Sequence, residues 1–100
     1  MFAFRTPEPS AATRAREDAA QDLAQDAMNS KSFHLACEIF ERHISQYGPS
    51  FRLYLLLGDA YAKGERFQEA IDAYIAAYRW LLFIIFLSRH RFLLSTFSSA

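Results

Sequence analysis

Glycine, proline and cysteine are scarce in this chain of 100 residues, which contains three, three and one of them respectively. A sandwich or barrel of short strands needs turn residues at frequent intervals, so their scarcity disfavours a β fold and predicts an all-α one. A lone cysteine cannot form a disulfide within the chain. We therefore expect a reducing, intracellular location, with the cytoplasm as the simplest choice.

An excess of one charge is also missing, because Lys plus Arg and Asp plus Glu each number 11. The chain has no overall basic field that would attract phosphates, so we expect no nucleic-acid partner. The first ten residues, MFAFRTPEPS, contain no apolar run long enough for a signal peptide. Because they show little periodicity, residues 1–12 are predicted to form a flexible arm before the helical domain.

Motifs for catalysis are absent, since there is neither a glycine-rich phosphate loop nor a G-x-S-x-G nucleophile turn. One helix side carries metal-ligand types at helical spacing: His34, Cys37, Glu38 and Glu41. A structural zinc site requires four ligands, usually from two segments, and the other two histidines are isolated. Cys37 also fits an apolar stripe, where a free cysteine behaves as a small hydrophobe. We predict no enzyme activity, no metal and no cofactor.

Apolar residues recur at helical spacing in four stretches. They predict helices from Ser10 or Thr13 to about 29, over about 33–47 and 50–63, and from 67 onward. Either Ser10 or Thr13 is suited to cap the first helix. Gly48-Pro49-Ser50 is the clearest break, because Gly ends helices and Pro disfavours helical geometry in the residue before it. Four helices joined by short turns predict two antiparallel pairs.

The chain resembles itself when it is shifted by 34 residues, and seven apolar or small positions and one turn then agree without a gap. The shift places Leu23-Ala24 on Leu57-Gly58, Ala27 on Tyr61, Phe33 on Phe67, Ala36 on Ala70, Phe40 on Tyr74 and Ile44 on Tyr78. Glycine in a helix interior costs about 1 kcal/mol relative to alanine. Gly58 therefore indicates a helix contact that has no room for a methyl group.

Residues 51–84 resemble a tetratricopeptide repeat, and residues 17–50 resemble one more weakly. The family's pattern is a large residue, Leu-Gly, Tyr, Ala, an aromatic residue, Ala and Pro, and Leu82 stands where the Pro is usual. The resemblance implies two antiparallel helix–turn–helix pairs that form a short α-solenoid over residues 13–82. It implies these packing residues: Leu23, Ala24, Ala27, Ala36, Phe40, Tyr54, Leu57, Gly58, Tyr61, Ala70, Tyr74 and Ala77. The alternative is an ordinary four-helix protein with chance periodicity.

The resemblance also implies a function, because the first helix of each pair lines a concave groove that holds a peptide or helix of another protein. Carried onto this chain, the groove residues are Asp18, Gln21, Gln25, Met28, Asn29, Arg52, Leu55, Asp59, Ala62 and Lys63. We expect a non-enzymatic adaptor or scaffold whose groove pairs with a basic or amphipathic segment. The alternative is that these residues form an ordinary solvated helix face.

The end of the sequence is apolar, with eight consecutive apolar residues from Trp80 to Leu87 and no acidic residue after them. A transmembrane helix needs about 20 apolar residues, and Arg89-His90-Arg91 interrupts this run after eight. We expect residues 83–100 to be an apolar helical tail that packs on the preceding helices or on another chain, with self-association through 80–97. The alternative is a membrane-peripheral protein that is held by its tail at the lipid surface.

Overall fold

Four helices make up the computed structural model, which describes residues 10–99 and the side chains of residues 10–91. They are α1 (Ala11–Asn29), α2 (Phe33–Tyr47), α3 (Phe51–Lys63) and α4 (Phe67–Ser99). No strand occurs in the described range. The prediction of an all-α fold is therefore confirmed, and the fourth helix continues without a break through the apolar tail.

Serine side chains begin two of the helices. The hydroxyl of Ser10 accepts a hydrogen bond from the backbone N–H of Thr13 at 3.1 Å, and that of Ser50 accepts one from Leu53 at 3.3 Å. Each satisfies a backbone donor that the first helical turn leaves without a partner. Ser10 rather than Thr13 thus caps α1, which begins two residues before the predicted start of the helical domain. Most of the predicted arm, residues 1–9, lies outside the described residues.

The turn after α1 and the turn after α3 have the same backbone geometry. Lys31 and Glu65, which are 34 residues apart, both have positive φ, at 62° and 64°. Ser32 donates its N–H to Ala27 O at 2.8 Å, and Arg66 donates to Tyr61 O at 2.9 Å. These are the bonds of a helix C-terminus closed by a left-handed residue. The sequence similarity at a 34-residue shift therefore extends to turn conformation.

The core runs along the chain from one helix to the next. Each helix packs on its successor, and α1 also touches α3. Of the predicted packing residues, nine are buried: Ala24, Ala27, Ala36, Phe40, Leu57, Gly58, Tyr61, Ala70 and Ala77. Tyr54 and Tyr74 are half-buried against this core. The small residues in this set let the helix backbones approach closely.

Leu23 is the exception, and its assignment to the core is wrong. Its side chain is 59% exposed, whereas its counterpart Leu57 is 6% exposed. The reason is the place of each helix in the chain: α2 precedes α3 and packs on it, whereas no helix precedes α1 in the described residues. Leu57 is therefore covered, and Leu23, at the equivalent position of its helix, is left in solvent.

The contact at Gly58 joins α3 to α4. A Cβ atom added at Gly58 would lie 2.5 Å from Cε1 of Tyr74 and 2.7 Å from Cδ1. Tyr74 is itself held, because its hydroxyl donates a hydrogen bond to Oδ1 of Asp59 at 2.5 Å. The prediction that Gly58 has no room for a methyl group is confirmed.

Replacing Gly58 with Ala is expected to lower the free energy of unfolding by about 1–2 kcal/mol, because overpacking at Tyr74 exceeds the gain in helix propensity. In a Tyr74→Leu background the ring is gone, so the same Gly58→Ala change is expected to stabilise the fold by up to about 1 kcal/mol. Urea unfolding of the four chains gives the measurement. An equal effect of Gly58→Ala in both backgrounds would contradict the role of the ring.

Candidate functional site

A cleft of about 170 Å³ opens where α1, α2 and α3 meet. It is lined by Gln21, Gln25, Met28, Phe40, Leu56, Asp59 and Lys63. Five of these seven are groove residues implied by the resemblance, and the other two, Phe40 and Leu56, belong to the hydrophobic core or pack on it. The cleft therefore combines polar side chains from α1 and α3 with an apolar base.

Arg52 lies at one end of this face and ties α3 to α1. Its Nη2 donates to Oδ1 of Asp18 at 2.7 Å and to the side-chain oxygen of Gln21. Its Nη1 lies 3.7 Å from Oε1 of Glu17. Three of the predicted groove residues, Asp18, Gln21 and Arg52, thus contact one another. The guanidinium is already neutralised within the chain, so its charge is not presented alone to a ligand.

Glu17 was not among the predicted site residues. It is 5% exposed and is the one buried charged group among the side chains that the structure describes. Its spacing from Ala20, Ala24 and Ala27 puts it on the apolar stripe of α1, and a carboxylate on such a stripe indicates a buried partner. That signal was available in the sequence, but the partner, Arg52, is 35 residues away and on another helix.

The remaining groove residues are divided between the cleft and its surroundings. Gln25 donates its side-chain N–H to Oδ1 of Asn29 at 3.0 Å, which orients both amides along α1. Asp59 faces the cleft and also accepts the bond from Tyr74. Leu55 and Ala62 are half-buried and do not line the cleft. Of the ten groove residues that the resemblance implies, the structure thus brings five together in the cleft.

Two tyrosines, one on α3 and one on α4, hold their protons unusually strongly. The hydrogen bond to Asp59, reinforced by partial burial, raises the pKa of Tyr74 to about 12. Burial, followed by the negative charge of Glu41, raises the pKa of Tyr61 to about 12. Both phenols therefore stay neutral in the folded chain above the pH at which a free tyrosine ionises, ordinarily 10.0.

The metal-ligand types on α2 do not assemble into a centre. Cys37 is 1% exposed and packs in the core, and burial raises the pKa of its thiol. A buried thiol with a raised pKa is a poor nucleophile and a poor metal ligand. Within residues 10–91, no three His, Cys, Asp or Glu side chains lie close enough together to hold a metal ion.

A second surface lies on the far side of α4. There Ile71, Tyr74, Ile75, Tyr78, Arg79 and Leu82 line a shallow groove of about 400 Å³. Ile71 and Tyr78 recur at helical spacing with the buried alanines of this helix, yet they are 50% and 54% exposed. The ring of Tyr78 still lies edge-on to Phe51 of α3, with the ring centroids 5.6 Å apart. None of the side chains from 79 to 91 is buried, so this range is not enclosed by the preceding helices. By length and composition alone, Phe67–Arg91 is apolar enough to cross a membrane.

Comparison with known proteins adds no homologue: no family model, no curated protein and no solved structure matches this chain. Its function therefore has to be inferred from its own surfaces.

Replacing Arg52 with Leu is expected to lower the free energy of unfolding by about 2 kcal/mol, because the Glu17 carboxylate is left buried without its cation. Adding Glu17→Gln to the Arg52→Leu variant is expected to restore part of the lost stability, because burying a neutral amide costs less free energy than burying an unpaired carboxylate. Asp18→Asn is the matched control. Its carboxylate is 63% exposed, so its pairing with Arg52 contributes at most about 1 kcal/mol. Equal losses for Arg52→Leu and Asp18→Asn in urea unfolding would overturn this account.

The raised tyrosine pKa values predict that stability falls between about pH 10 and pH 12. In that window the unfolded chain releases phenolic protons that folded Tyr61 and Tyr74 retain, so the unfolded state binds fewer protons and gains relative stability as pH rises. Tyrosinate absorbance at stepwise pH, with urea unfolding at each step, measures both effects. The part of the tyrosinate absorbance that appears only at the higher pH values is expected to vanish in the double variant Tyr61→Phe/Tyr74→Phe. A wild-type tyrosinate signal that saturates near the ordinary pKa of 10.0 would contradict the assignment.

Proposed function

We propose that this chain is a non-enzymatic protein-interaction module, an adaptor or scaffold subunit, that binds an extended or helical segment of a partner protein on the α1/α3 face. The observation that carries the proposal is the cleft in which Gln21, Gln25, Met28, Asp59 and Lys63 converge. These five residues come from two helices, and the resemblance to tetratricopeptide repeats implies all of them.

We further propose that the four helices are two repeats of the tetratricopeptide type. The matching turns at Lys31 and Glu65 support this, because chance periodicity of apolar residues has no reason to reproduce a left-handed residue at the same point of each turn. The paired small residues Ala36 and Ala70, both buried 34 residues apart, also support it. A repeat is a stacking unit, and the surface that the stack creates is where such proteins bind.

The chemistry of the cleft suits a peptide. The side-chain amides of Gln21 and Gln25 each offer a donor and an acceptor, which is what an extended backbone requires. Met28 and the apolar base can receive one apolar side chain, and methionine adapts its shape to different ones. Arg52 is surrounded by two carboxylates, Glu17 and Asp18, which leave this cluster with a net negative charge, so a partner segment with basic residues is favoured.

A second function, membrane attachment through α4, is favoured by a single observation, the length and apolar composition of Phe67–Arg91. The adaptor is preferred because the first part of this segment is already committed to the fold: Ala70, Ala73 and Ala77 are 3%, 5% and 0% exposed. A membrane-spanning arrangement would strip these residues from α3, with which α4 packs.

The test of the cleft uses random peptides displayed on phage and selected on the immobilised full chain. Selected peptides are expected to be rich in Lys or Arg with an apolar residue, and their dissociation constants are then measured by fluorescence polarisation. Gln25→Ala is expected to weaken binding about 5–10-fold, the equivalent of one hydrogen bond.

Gln46→Ala is the matched control for this experiment. Gln46 is exposed like Gln25 but lies on α2, away from the cleft. Binding by the Gln46→Ala chain is expected to equal that of the wild type. If the selected peptides respond alike to Gln25→Ala and Gln46→Ala, they bind elsewhere and the assignment of the cleft is wrong.

A further inference from the structure

Four residues on α4 form a continuous exposed apolar strip, which we call the α4 stripe: Ile71, Ile75, Tyr78 and Leu82. Their spacing of four, three and four residues has a mean of about 3.7, close to the 3.6 residues of one helical turn, so they stay on one side of the helix. They are 50%, 48%, 54% and 65% exposed. Contiguous apolar surface of this kind is uncommon in a monomer and indicates an interaction site.

The fold itself indicates what kind of element covers such a face. The residues 34 positions before Ile71, Ile75 and Tyr78 are Cys37, Glu41 and Ile44 on α2. Cys37 is 1% exposed and Ile44 is half-buried against the core, whereas Glu41 is exposed. There the next helix, α3, packs on α2. The α4 stripe thus lies on a face whose counterpart within this chain is partly covered by a helix.

The first helix of another copy is a poor candidate for this role. If α1 took the place on α4 that α3 has on α2, its residues equivalent to Leu56 and Ala60 would face the contact. Leu56 packs on the core and Ala60 is 0% exposed. Their counterparts on α1 are Asp22 and Asp26, both exposed. End-to-end stacking would bury two carboxylates without a partner, at a large desolvation penalty.

A bilayer is also a poor fit. The part of α4 beyond the contact of Tyr78 with Phe51 begins at Arg79, and its apolar run ends at Leu87. Nine residues of helix span about 14 Å, roughly half the thickness of the hydrocarbon core. An amphipathic helix that lies on the lipid surface requires a strongly polar face, and the run from Trp80 to Leu87 has none.

We propose that the α4 stripe binds the same stripe of a second copy, with the two helices antiparallel. Ile71 then faces Leu82 of the second copy, and Ile75 faces its Tyr78. The same residues meet in both copies, as a two-fold interface requires. The pairing goes beyond the proposed peptide cleft and does not depend on it.

Charge decides the orientation. Asp72 directly follows Ile71, and Arg79 directly follows Tyr78, so both flank the stripe on the same side. Antiparallel pairing brings each Asp72 beside Arg79 of the other copy, which forms two equivalent ion pairs. Parallel pairing would place the flanks that carry Asp72 and Arg79 on opposite sides of the contact in the two copies, so these ion pairs could not form. Neither residue forms an ion pair within the part of the chain that the structure describes.

The area of the stripe sets the strength of the contact. Four side chains of about 200 Å² each, roughly half exposed, offer about 400 Å² per copy, compared with about 800 Å² per partner in a standard interface. Phe86, 64% exposed and one helical turn beyond Leu82, extends the surface. The dimer is therefore expected to be reversible rather than obligate.

Sedimentation equilibrium of the full chain over a concentration series in detergent-free buffer tests the proposal. The wild type is expected to show a monomer–dimer equilibrium. Ile75→Glu is expected to weaken it at least about 10-fold, because each dimer buries two such residues without a partner charge. Leu23→Glu is the matched control: Leu23 is also exposed but lies on α1, so dimerisation should persist. Circular dichroism checks that each variant remains helical.

Charge exchange tests the orientation without touching the apolar residues. Asp72→Arg and Arg79→Asp are each expected to weaken the dimer, and the double variant to restore it. An equimolar mixture of the two single variants is expected to form heterodimers, since each chain supplies the charge that the other lacks. A double variant as weak as the single ones would exclude antiparallel pairing.

Other occupants of the stripe give distinct results. A wild type that stays monomeric throughout, or an Ile75→Glu chain that dimerises like the wild type, overturns the proposal. Flotation of wild type but not of Ile75→Glu with phosphatidylcholine–phosphatidylserine vesicles would assign the stripe to lipid instead. Because Gln25→Ala leaves α4 unchanged, its dimer is expected to match that of the wild type. Peptide binding that Gln25→Ala does not weaken, together with an intact dimer, would contradict the cleft alone.

Discussion

The close approach of α3 and α4 at Gly58 is the constraint on which the rest of the structure depends. No side chain fits between the Gly58 backbone and the Tyr74 ring, so the two helices are fixed in separation at this point. That separation lets Ala70, Ala73 and Ala77 pack against α3. It also determines which side of α4 is left over, because a helix that buries its alanine face must present the opposite face to solvent.

Small and large buried residues are distributed unevenly among the four helices. Alanines make close contacts along the inner faces of α1, α2 and α4, while the bulkier Leu53, Leu57 and Tyr61 come from α3. α3 consequently has helices on more than one side, and it holds five of the buried residues. α1, by contrast, closes its end of the described array with exposed carboxylates, whereas α4 leaves its end apolar. The two ends are therefore chemically different.

Sequence reasoning located the helices because their spacing, caps and turn residues are local signals. It also anticipated the Gly58 contact, since a glycine inside a helix calls for a packing reason. It failed at Leu23 because periodicity identifies a face but not whether a neighbouring helix covers it. The same limit applies to Ile71 and Tyr78, which belong to the periodic pattern of α4 yet lie in solvent. The link between Glu17 and Arg52 depends on tertiary packing across 35 residues and leaves only an indirect trace in the sequence.

Tyr74 contributes to both surfaces described above. Its ring lines the outer groove of α4, and its hydroxyl reaches Asp59, which lines the cleft between α1 and α3. A ligand that draws the Asp59 carboxylate to itself releases the phenol, and a partner that moves the ring alters the hydrogen bond to Asp59. If both surfaces bind partners as proposed, this shared hydrogen bond would link the two binding equilibria, and such a linkage is reciprocal: the factor by which occupancy of one surface changes affinity at the other is the same in both directions. One interhelical hydrogen bond would thus connect the two faces of the protein.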